Sequence, residues 1–212
     1  MPLIRKPAGS PADTRAQAAP DPAAIAAQLR AGSEEERWAA ARVAAQLTNG
    51  VELLSKALAD EATPRVREAM FTGLARMATP AAAEAVLPFV RSDDAHVRTE
   101  ALDALAAMKA VVWPYLPALL RDPDSDVRIL ACELARSMPA DEAARLFTSV
   151  LESEPQPNVC AAIVEVLAEV GGAEVLPALE RCRDRFRATP FLAFAIGTAA
   201  ERIRAQSSGT RA

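Results

Sequence analysis

Histidine is almost missing from this 212-residue chain, in which His96 is the single example. Common zinc and di-iron centres bind their metal through several histidines, so one histidine cannot supply such a ligand set. The sequence also lacks the phosphate-binding loops GxGxxG and GxxxxGK[ST], and the catalytic motifs GxSxG and HExxH. We therefore expect neither a metal nor another cofactor, and no enzymatic activity of the chain by itself.

Cysteines and long apolar runs are scarce as well. The cysteines Cys132, Cys160 and Cys182 form no CxxC pair, which favours reduced thiols in a cytoplasmic protein. Cys182 lies between Arg181 and Arg183 and is the one candidate for a reactive thiol. No apolar run approaches the ~20 residues of a membrane span, and no secretory signal opens the sequence. We expect a cytoplasmic location and no membrane span.

Composition and charge indicate which class of protein this is. Hydrophobic residues make up 51% of the chain but aromatic residues only 4%, so alanine, leucine and valine dominate its apolar part. That composition favours helices that pack closely on one another. The formal net charge is −4, which argues against a surface built for nucleic-acid phosphates.

One pattern recurs along the chain with a period near 30 residues. Four steps in which an arginine follows valine or glutamate are spaced 30, 31 and 30 residues apart: Glu36-Arg37, Val66-Arg67, Val97-Arg98 and Val127-Arg128. A fixed period of this length predicts one structural unit copied several times and stacked on its neighbours.

Each unit is predicted to end in a long second helix. Polar residues that can cap such a helix stand four positions before the arginine column, at Ser33, Thr63, Asp94, Asp124, Gln156 and Thr189. Residues one position before the column and three, seven and ten positions after it form one helical stripe, which is apolar except at Glu36. Shorter first helices are predicted at 22–31, 51–59, 80–91, 111–121, 140–152 and 173–187.

These observations predict an all-α fold, a right-handed α-solenoid of about six antiparallel helical pairs over residues 22–204. Residues 1–21 are rich in proline and alanine and predict a flexible tail. Residues 205–212 predict a disordered C-terminal tail.

Two segments carry a family resemblance: Asp93 to Leu102, with the sequence DDAHVRTEAL, and Asp122 to Arg128, with the sequence DPDSDVR. Through them the chain resembles the short HEAT-like repeats of the phycobilin-lyase type over residues 22–204. The resemblance implies a HEAT-like superhelix. It leaves the role open, because such arrays serve as scaffolds, adaptors, lyase subunits and regulators.

The arginine column is interpreted as a structural ladder at the edge of the core, formed by Arg37, Arg67, Arg98 and Arg128. Part-buried arginines are usually paired, and the predicted partners are Glu61, Asp94, Asp122, Asp124 and Asp126. Cys160 and Ala193 replace the arginine in the last two units. There we expect apolar packing, to which Phe191 and Phe194 contribute.

The positions opposite the apolar stripe are predicted to form a concave protein-binding face. Its residues are Trp38, Arg42, Glu68, Thr72, Thr99, Asp103, Ile129, Glu133, Arg136, Glu165 and Phe194. One interpretation is a solvated polar face that keeps the array soluble. The other is a groove for a basic or mixed-charge peptide or helix. In that case Asp103, Glu133 and Glu165 steer the ligand, and Trp38, Ile129 or Phe194 supply apolar contacts.

The predicted function is a non-catalytic scaffold, adaptor or assembly factor that binds another protein. The alternative is a lyase-like or cofactor-handling subunit that acts only with a second chain; pigment bound after co-expression with a chromophore pathway would favour it. Trp113 and Tyr115 have two interpretations as well. They are either interface anchors or packing residues between neighbouring first helices on the convex side.

Overall fold

The computed structural model of the protein describes residues 20–209. Of the predicted tail at 1–21, all but Pro20 and Asp21 lies outside the described residues, as do residues 210–212 of the predicted C-terminal tail. The described part contains α-helices and short 3₁₀ segments but no β-strand. The all-α prediction is confirmed.

Odd-numbered helices are the first helices of the units and even-numbered helices the second. The first helices are α1 (Pro22–Ala31), α3 (Gly50–Leu58), α5 (Pro80–Val86), α7 (Leu116–Leu119), α9 (Ala140–Ser153) and α11 (Leu176–Arg185). The second helices are α2 (Glu34–Ala44), α4 (Pro64–Met77), α6 (Ala95–Met108), α8 (Ser125–Ala135), α10 (Pro157–Val170) and α12 (Pro190–Gly209). Helix α12 continues past the predicted solenoid boundary at residue 204, so residues 205–209 are helical.

The second helices begin where the cap pattern predicts. Ser33 forms a capping box at α2, and Asp94 and Asp124 each accept a hydrogen bond from the amide two residues later at α6 and α8. Thr63 and Gln156 precede α4 and α10 without a side-chain cap. Both of those helices start with proline, which has no amide hydrogen to be left unsatisfied at that position.

The first helix of the fourth unit is less regular than predicted. In place of one helix over 111–121, 3₁₀ turns at Lys109–Val111 and Trp113–Tyr115 lead into the four-residue α7. Pro114 and Pro117 explain the break, because proline lacks the amide hydrogen that a continuous α-helix needs. Proline has a similar effect after α5, where a 3₁₀ segment, Leu87–Arg91, completes the unit.

The even helices pack in a row, because each of α2, α4, α6, α8 and α10 contacts the next even helix. First helices also contact their neighbours in sequence, as α1 does with α3, α3 with α5, and α9 with α11. The apolar stripe lies inside: Val66, Met70 and Leu74 of α4 are fully buried. One apolar core runs from α1 to α12. The protein is therefore an all-α solenoid whose units shield one another's apolar faces.

Tyr115 and Trp113 form side-chain hydrogen bonds to other segments near the middle of the array. The Tyr115 hydroxyl donates to Glu84 Oε1 on α5 at 3.0 Å, and Trp113 Nε1 donates to Ser137 Oγ, just after α8, at 3.2 Å. The Tyr115 contact joins neighbouring first-helix segments, as the packing interpretation predicts. No single helix in residues 20–209 is long and apolar enough to cross a membrane; the segments Ala95–Val111 and Trp113–Leu119 pass that test only as a pair bent by 105°.

Candidate protein-binding face

The arginine ladder runs along the edge of the even helices. Three of its four members form ion pairs with glutamates: Arg37 Nε with Glu61 at 2.7 Å, Arg67 Nε with Glu100 at 2.6 Å, and Arg128 Nη2 with Glu154 at 2.9 Å. Arg98 instead donates to the backbone carbonyl oxygens of Ser92, at 2.7 Å, and Asp93, at 3.2 Å. Arg37, Arg98 and Arg128 therefore bind linker residues, and Arg67 joins α4 to α6.

The predicted partners of the ladder are corrected in four cases. Glu61 is confirmed, but Asp94 and Asp124 cap the helices that follow them, and Asp122 pairs with Arg91. Asp126 forms no ion pair within residues 20–209. An aspartate at a helix N-cap turns its carboxylate toward the free amides of the first turn, so Asp94 and Asp124 interact with Arg67 and Arg128 through their charge and not through an ion pair in contact.

In the fifth unit, an arginine that the repeat does not predict takes the place of the column arginine. Cys160 occupies the column in α10, and Arg185 of α11 reaches the same linker from the other side. Its Nη2 donates to the carbonyl oxygens of Leu151 at 2.6 Å and Glu154 at 3.0 Å. Arg37, Arg98 and Arg128 likewise donate to backbone carbonyl oxygens between the helices of their units. Two features of the sequence could have indicated this contact: the arginines near the end of α11, and the absence of an arginine at the column position of Cys160.

The eleven predicted face residues all lie on even helices or directly after one, but the structure divides them into separate groups. Trp38, Ile129 and Arg136 are half-buried, and the other eight are exposed. Trp38 and Arg42 are at the N-terminal end. Two grooves take most of the remainder, with Glu68, Thr72 and Asp103 in one and Ile129, Glu133, Glu165 and Phe194 in the other. Thr99 lines neither groove, and its hydroxyl donates to the carbonyl of Ala95 within α6.

Trp38 is covered within the chain. The guanidinium carbons of Arg42 and Arg65 lie 4.6 Å and 4.7 Å from the centre of its ring, and Arg65 is also paired with Glu35 at 2.8 Å. Cation–π stacking of this kind occupies the ring. Less of the Trp38 ring is thus open to a partner, and its role as an apolar contact stays a prediction.

A central groove of about 550 Å³ lies between α4 and α6. Glu68 and Thr72 line one side and Asp103 the other, with Arg76 at the same opening. Its floor includes Phe71, which is 2% exposed and held edge to face against another phenylalanine ring. The Phe71 ring is thus almost fully covered at the bottom of the groove.

A C-terminal groove of about 620 Å³ is formed by α8, α10 and α12. Its floor is the outer surface of α10, where Ala161, Ala162 and Ala168 leave a shallow depression. Larger side chains rise on both sides, Ile129 from α8 and Phe194 from α12. The side chains at this site form a trench with an apolar floor along one helix.

Phe194 and Phe191 differ from the sequence prediction. They are 77% and 50% exposed and do not pack the last two units together. Phe194 also lines the C-terminal groove, whereas Phe191 does not.

The acidic rim of this groove is organised by Arg136. Its guanidinium lies 2.8 Å from Glu133, 3.3 Å from Glu165 and 2.6 Å from Glu169. The hydrogen bonds that Arg136 donates to Glu133 raise the pKa of Arg136 above its ordinary value; burial opposes this effect, and the hydrogen bond that Arg136 donates to Glu169 adds to it. Glu133 and Glu165 are therefore partly neutralised and not free carboxylates. Sequence reasoning missed Glu169, although it stands one helical turn after Glu165.

No group of three histidine, cysteine, aspartate or glutamate side chains within residues 20–209 is arranged to hold a metal ion. The three cysteines are unpaired thiols, all buried, including Cys182, the candidate reactive residue.

The fold and the repeat define an α-helical repeat protein. The family model for HEAT repeats matches residues 22–106 and 114–190, more than half of the chain. The protein belongs to the HEAT-repeat family. No curated protein matches it.

Solved structures are similar to this chain at low sequence identity. An engineered protein from a structural genomics consortium is 20% identical, with 86% of this chain and 96% of that chain covered and a TM-score of 0.43. A designed armadillo repeat protein is 17% identical, with coverages of 85% and 98% and a TM-score of 0.40. The complex of CpcE and CpcF of phycocyanin lyase from Nostoc sp. PCC7120 is 15% identical, with coverages of 93% and 100% and a TM-score of 0.38. Similarities at this level carry no argument about function.

Proposed function

We propose that this protein is a non-catalytic scaffold or adaptor that holds a segment of another protein in the C-terminal groove. The observation that carries the proposal is the exposure of Phe194, 77% of its surface, at the edge of a trench with an apolar floor. A large aromatic side chain in water at the rim of a concave apolar site is typical of an interaction anchor.

The shape of the groove favours a helical or extended peptide with one apolar side chain. The alanines on the floor let a partner backbone approach α10 closely, and an apolar side chain would lie between Ile129 and Phe194. Burial of that side chain together with the Phe194 ring supplies the main favourable free energy.

The charges at the rim favour a partner of mixed charge. Three carboxylates, Glu133, Glu165 and Glu169, face the two guanidinium groups of Arg136 and Arg202. One negative charge is left in excess, so a lysine or arginine beside the apolar anchor is favoured. The sequence prediction treated these carboxylates as free, which would favour a strongly basic ligand. With the arginines present, a strongly basic ligand is less favoured.

The test compares two phenylalanines on one helix. Partners are captured with the purified full chain, identified by mass spectrometry, and their affinity is measured with purified components for Phe194→Ser and Phe191→Ser. Both side chains are exposed, so neither change disturbs the core. We expect Phe194→Ser to weaken binding at least tenfold, about 1.4 kcal/mol, and Phe191→Ser to leave it unchanged.

A second variant examines the rim. Glu165→Lys reverses the charge at the edge of the groove and should weaken binding of a partner that carries a basic residue, with a smaller salt dependence than the wild type. If all partners bind Phe194→Ser and Glu165→Lys as tightly as the wild-type protein, the groove is not the binding site and the proposal fails.

A further inference from the structure

The central groove between α4 and α6 has a negative charge that its own side chains do not compensate. The charged residues in its lining are Glu68, Arg76, Glu100 and Asp103. Glu100 is paired with Arg67 at 2.6 Å. Glu68, Arg76 and Asp103 are exposed and take part in no ion pair within the described part of the chain. The two carboxylates therefore outnumber the remaining arginine by one charge.

The same groove has an apolar lining of small side chains. Ala75 belongs to α4, whereas Ala104 and Ala107 belong to α6. Because each of these side chains is a single methyl group, a groove of about 550 Å³ stays open between the two helices. Large aliphatic side chains fit such a site, since their burial removes apolar surface of both partners from water. The occupant that fits best has aliphatic side chains next to basic ones.

The N-terminal part of the sequence contains this combination. Leu3 and Ile4 are followed directly by Arg5 and Lys6. Residues 1–19 hold three basic residues and one acidic residue, a formal charge of +2, so the rest of the chain carries −6, against −4 for the whole. A basic segment that is joined to an acidic body is attracted to it, and most strongly where carboxylates are unpaired.

The connecting residues are long enough for this segment to reach the central groove of the same molecule. Residues 7–19 join Lys6 to Pro20, next to the start of α1, and thirteen residues span up to about 45 Å. Helix α1 contacts α2, α2 contacts α4, and α4 contacts α6. Packed helices are about 8–10 Å apart, which puts the groove roughly 20–30 Å from the start of α1.

Two other grooves suit this segment less well. The groove between α1 and α3 is lined by three cations and two carboxylates, and its excess charge is positive: Arg30, Arg37, Lys56, Asp60 and Glu61. The C-terminal groove is centred on α10, two even helices beyond α6. By the same helix spacing it is about 40–50 Å from α1, at the limit of the connecting residues.

We propose that the N-terminal segment, residues 3–6, binds in the central groove of its own molecule. Its two aliphatic side chains pack against the alanines of α4 and α6, and its two cations pair with Glu68 and Asp103. Because the segment belongs to the same chain, its effective concentration at the groove is high and a weak contact suffices. A basic segment of another protein has to displace it before binding there. This inference does not depend on the C-terminal groove or on its function.

Carbodiimide coupling of the purified full chain tests this contact without a substitution. The reagent joins a lysine amine to a carboxylate that touches it and releases one water per link. The chain has three lysines, Lys6, Lys56 and Lys109. Lys56 lies 2.7 Å from Glu52, so the link between them is the positive control. Lys109 takes part in no ion pair among the described residues and gives the background of random encounters.

We expect a link from Lys6 to Glu68 or Asp103, located by mass spectrometry of peptides and formed at least tenfold above the background at Lys109. The linked species should have the mass of a monomer that has lost water. Its yield should not change with protein concentration, because the contact is intramolecular.

A variant with both Leu3→Ser and Ile4→Ser tests the apolar part of the contact. It keeps Lys6 and both carboxylates of the groove, so the coupling chemistry is unchanged. We expect the yield of the Lys6 link to fall at least fivefold, because the aliphatic side chains hold the segment in the groove. An unchanged yield would show attraction by charge alone and would contradict binding in the groove.

A second pair of variants tests the carboxylates. In the double variant Glu68→Gln and Asp103→Asn, Lys6 should stay unlinked. Asp126→Asn is the matched control, because Asp126 is another exposed carboxylate without an ion pair within residues 20–209. It should leave the yield of the Lys6 link unchanged. All three side chains are exposed, so these changes do not disturb the core.

Other outcomes would overturn the proposal. A Lys6 yield no higher than the background would leave the groove to a separate basic partner. Links from Lys6 to Glu133, Glu165 or Glu169 would put the segment in the C-terminal groove. Links spread over many carboxylates would show attraction without a site, and links between two molecules would show that a second copy supplies the segment.

Discussion

Arg128 and Glu154 meet through two parallel hydrogen bonds of 2.9 Å, from Nε to Oε2 and from Nη2 to Oε1. Both residues are nearly buried, at 7% and 4% exposure. Arg128 also donates to the carbonyl of Asp122 at 2.8 Å, which connects α8 to the linker before it. The contact with Glu154 connects α8 to the end of α9. Bidentate geometry of this kind is the strongest form of arginine–carboxylate contact.

The first prediction concerns loss of this pair. Arg128→Met keeps most of the side-chain volume but leaves the Glu154 carboxylate buried without its cation, so the free energy of unfolding should fall by about 3–5 kcal/mol. Arg98→Met is the matched control. Arg98 is half-buried and donates to backbone carbonyls, so its loss should cost about 1 kcal/mol. Urea denaturation of both variants gives the comparison, and equal losses would contradict the distinction.

The second prediction concerns two glycines in even helices, for which substitution by alanine should change the free energy of unfolding in opposite directions. A methyl group added at Gly197 in α12 would meet nothing within 4 Å, so Gly197→Ala should raise the free energy of unfolding by about 0.5–1 kcal/mol. At Gly73 in α4 the same methyl group would lie 3.0 Å from Leu54 Cδ1 and 3.1 Å from Ala45 Cβ. Crowding there outweighs the gain in helix propensity, and Gly73→Ala should lower stability.

Urea denaturation of the two alanine variants and of the wild type, compared by their free energies of unfolding, tests this prediction. Stabilisation by Gly73→Ala to the same extent as by Gly197→Ala would show that α3 and α2 can move aside, and would contradict the close helix packing seen at Gly73.

The repeat architecture could be predicted because it depends on patterns that recur within each unit. The stripe that contains Val66, Met70 and Leu74 requires one buried side, and the caps at Ser33 and Asp94 mark where the helices start. Both signals are local in sequence. The stacking of even helices follows from them, because a stripe of this kind must be covered by the next unit.

The ion pairs and the stacking contacts of the arginines could not be predicted in the same way, because they join residues from different units without a fixed spacing. Glu154 pairs with Arg128 across 26 positions, whereas Glu100 pairs with Arg67 across 33. The stacking of Arg65 on Trp38 likewise requires an arginine from the following unit.

The candidate groove was predicted in part. Ile129, Glu133, Glu165 and Phe194 were placed on one face and do line one cavity. Its charge was misjudged, because the position of the Arg136 guanidinium among three carboxylates depends on how α8 and α10 are aligned along their axes. A helical wheel gives the direction of a side chain but not this alignment.

The last prediction concerns acid sensitivity at the N-terminal linker. Burial opposes ionisation of Glu61, but hydrogen bonds from the Arg37 side chain and from the Thr63 amide and hydroxyl outweigh it and hold the pKa of Glu61 below the ordinary value of 4.5. Because the pKa is lower in the folded state, the unfolded chain binds more protons as the solution becomes acidic. The contribution of Glu61 is therefore fully present above about pH 4.5 and is lost as the pH falls through the folded-state pKa.

Glu61→Gln should flatten this part of the stability profile, measured by urea denaturation at a series of pH values between about 3 and 6. Glu52→Gln is the control. A hydrogen bond from Lys56 also lowers the pKa of Glu52, but both partners are exposed to solvent, and an exposed pair contributes little. Its profile should follow the wild type closely, and more so in high salt, where exposed pairs are screened further. A Glu61→Gln profile as steep as that of the wild type would show that the buried linker carboxylate does not carry the acid sensitivity of this region.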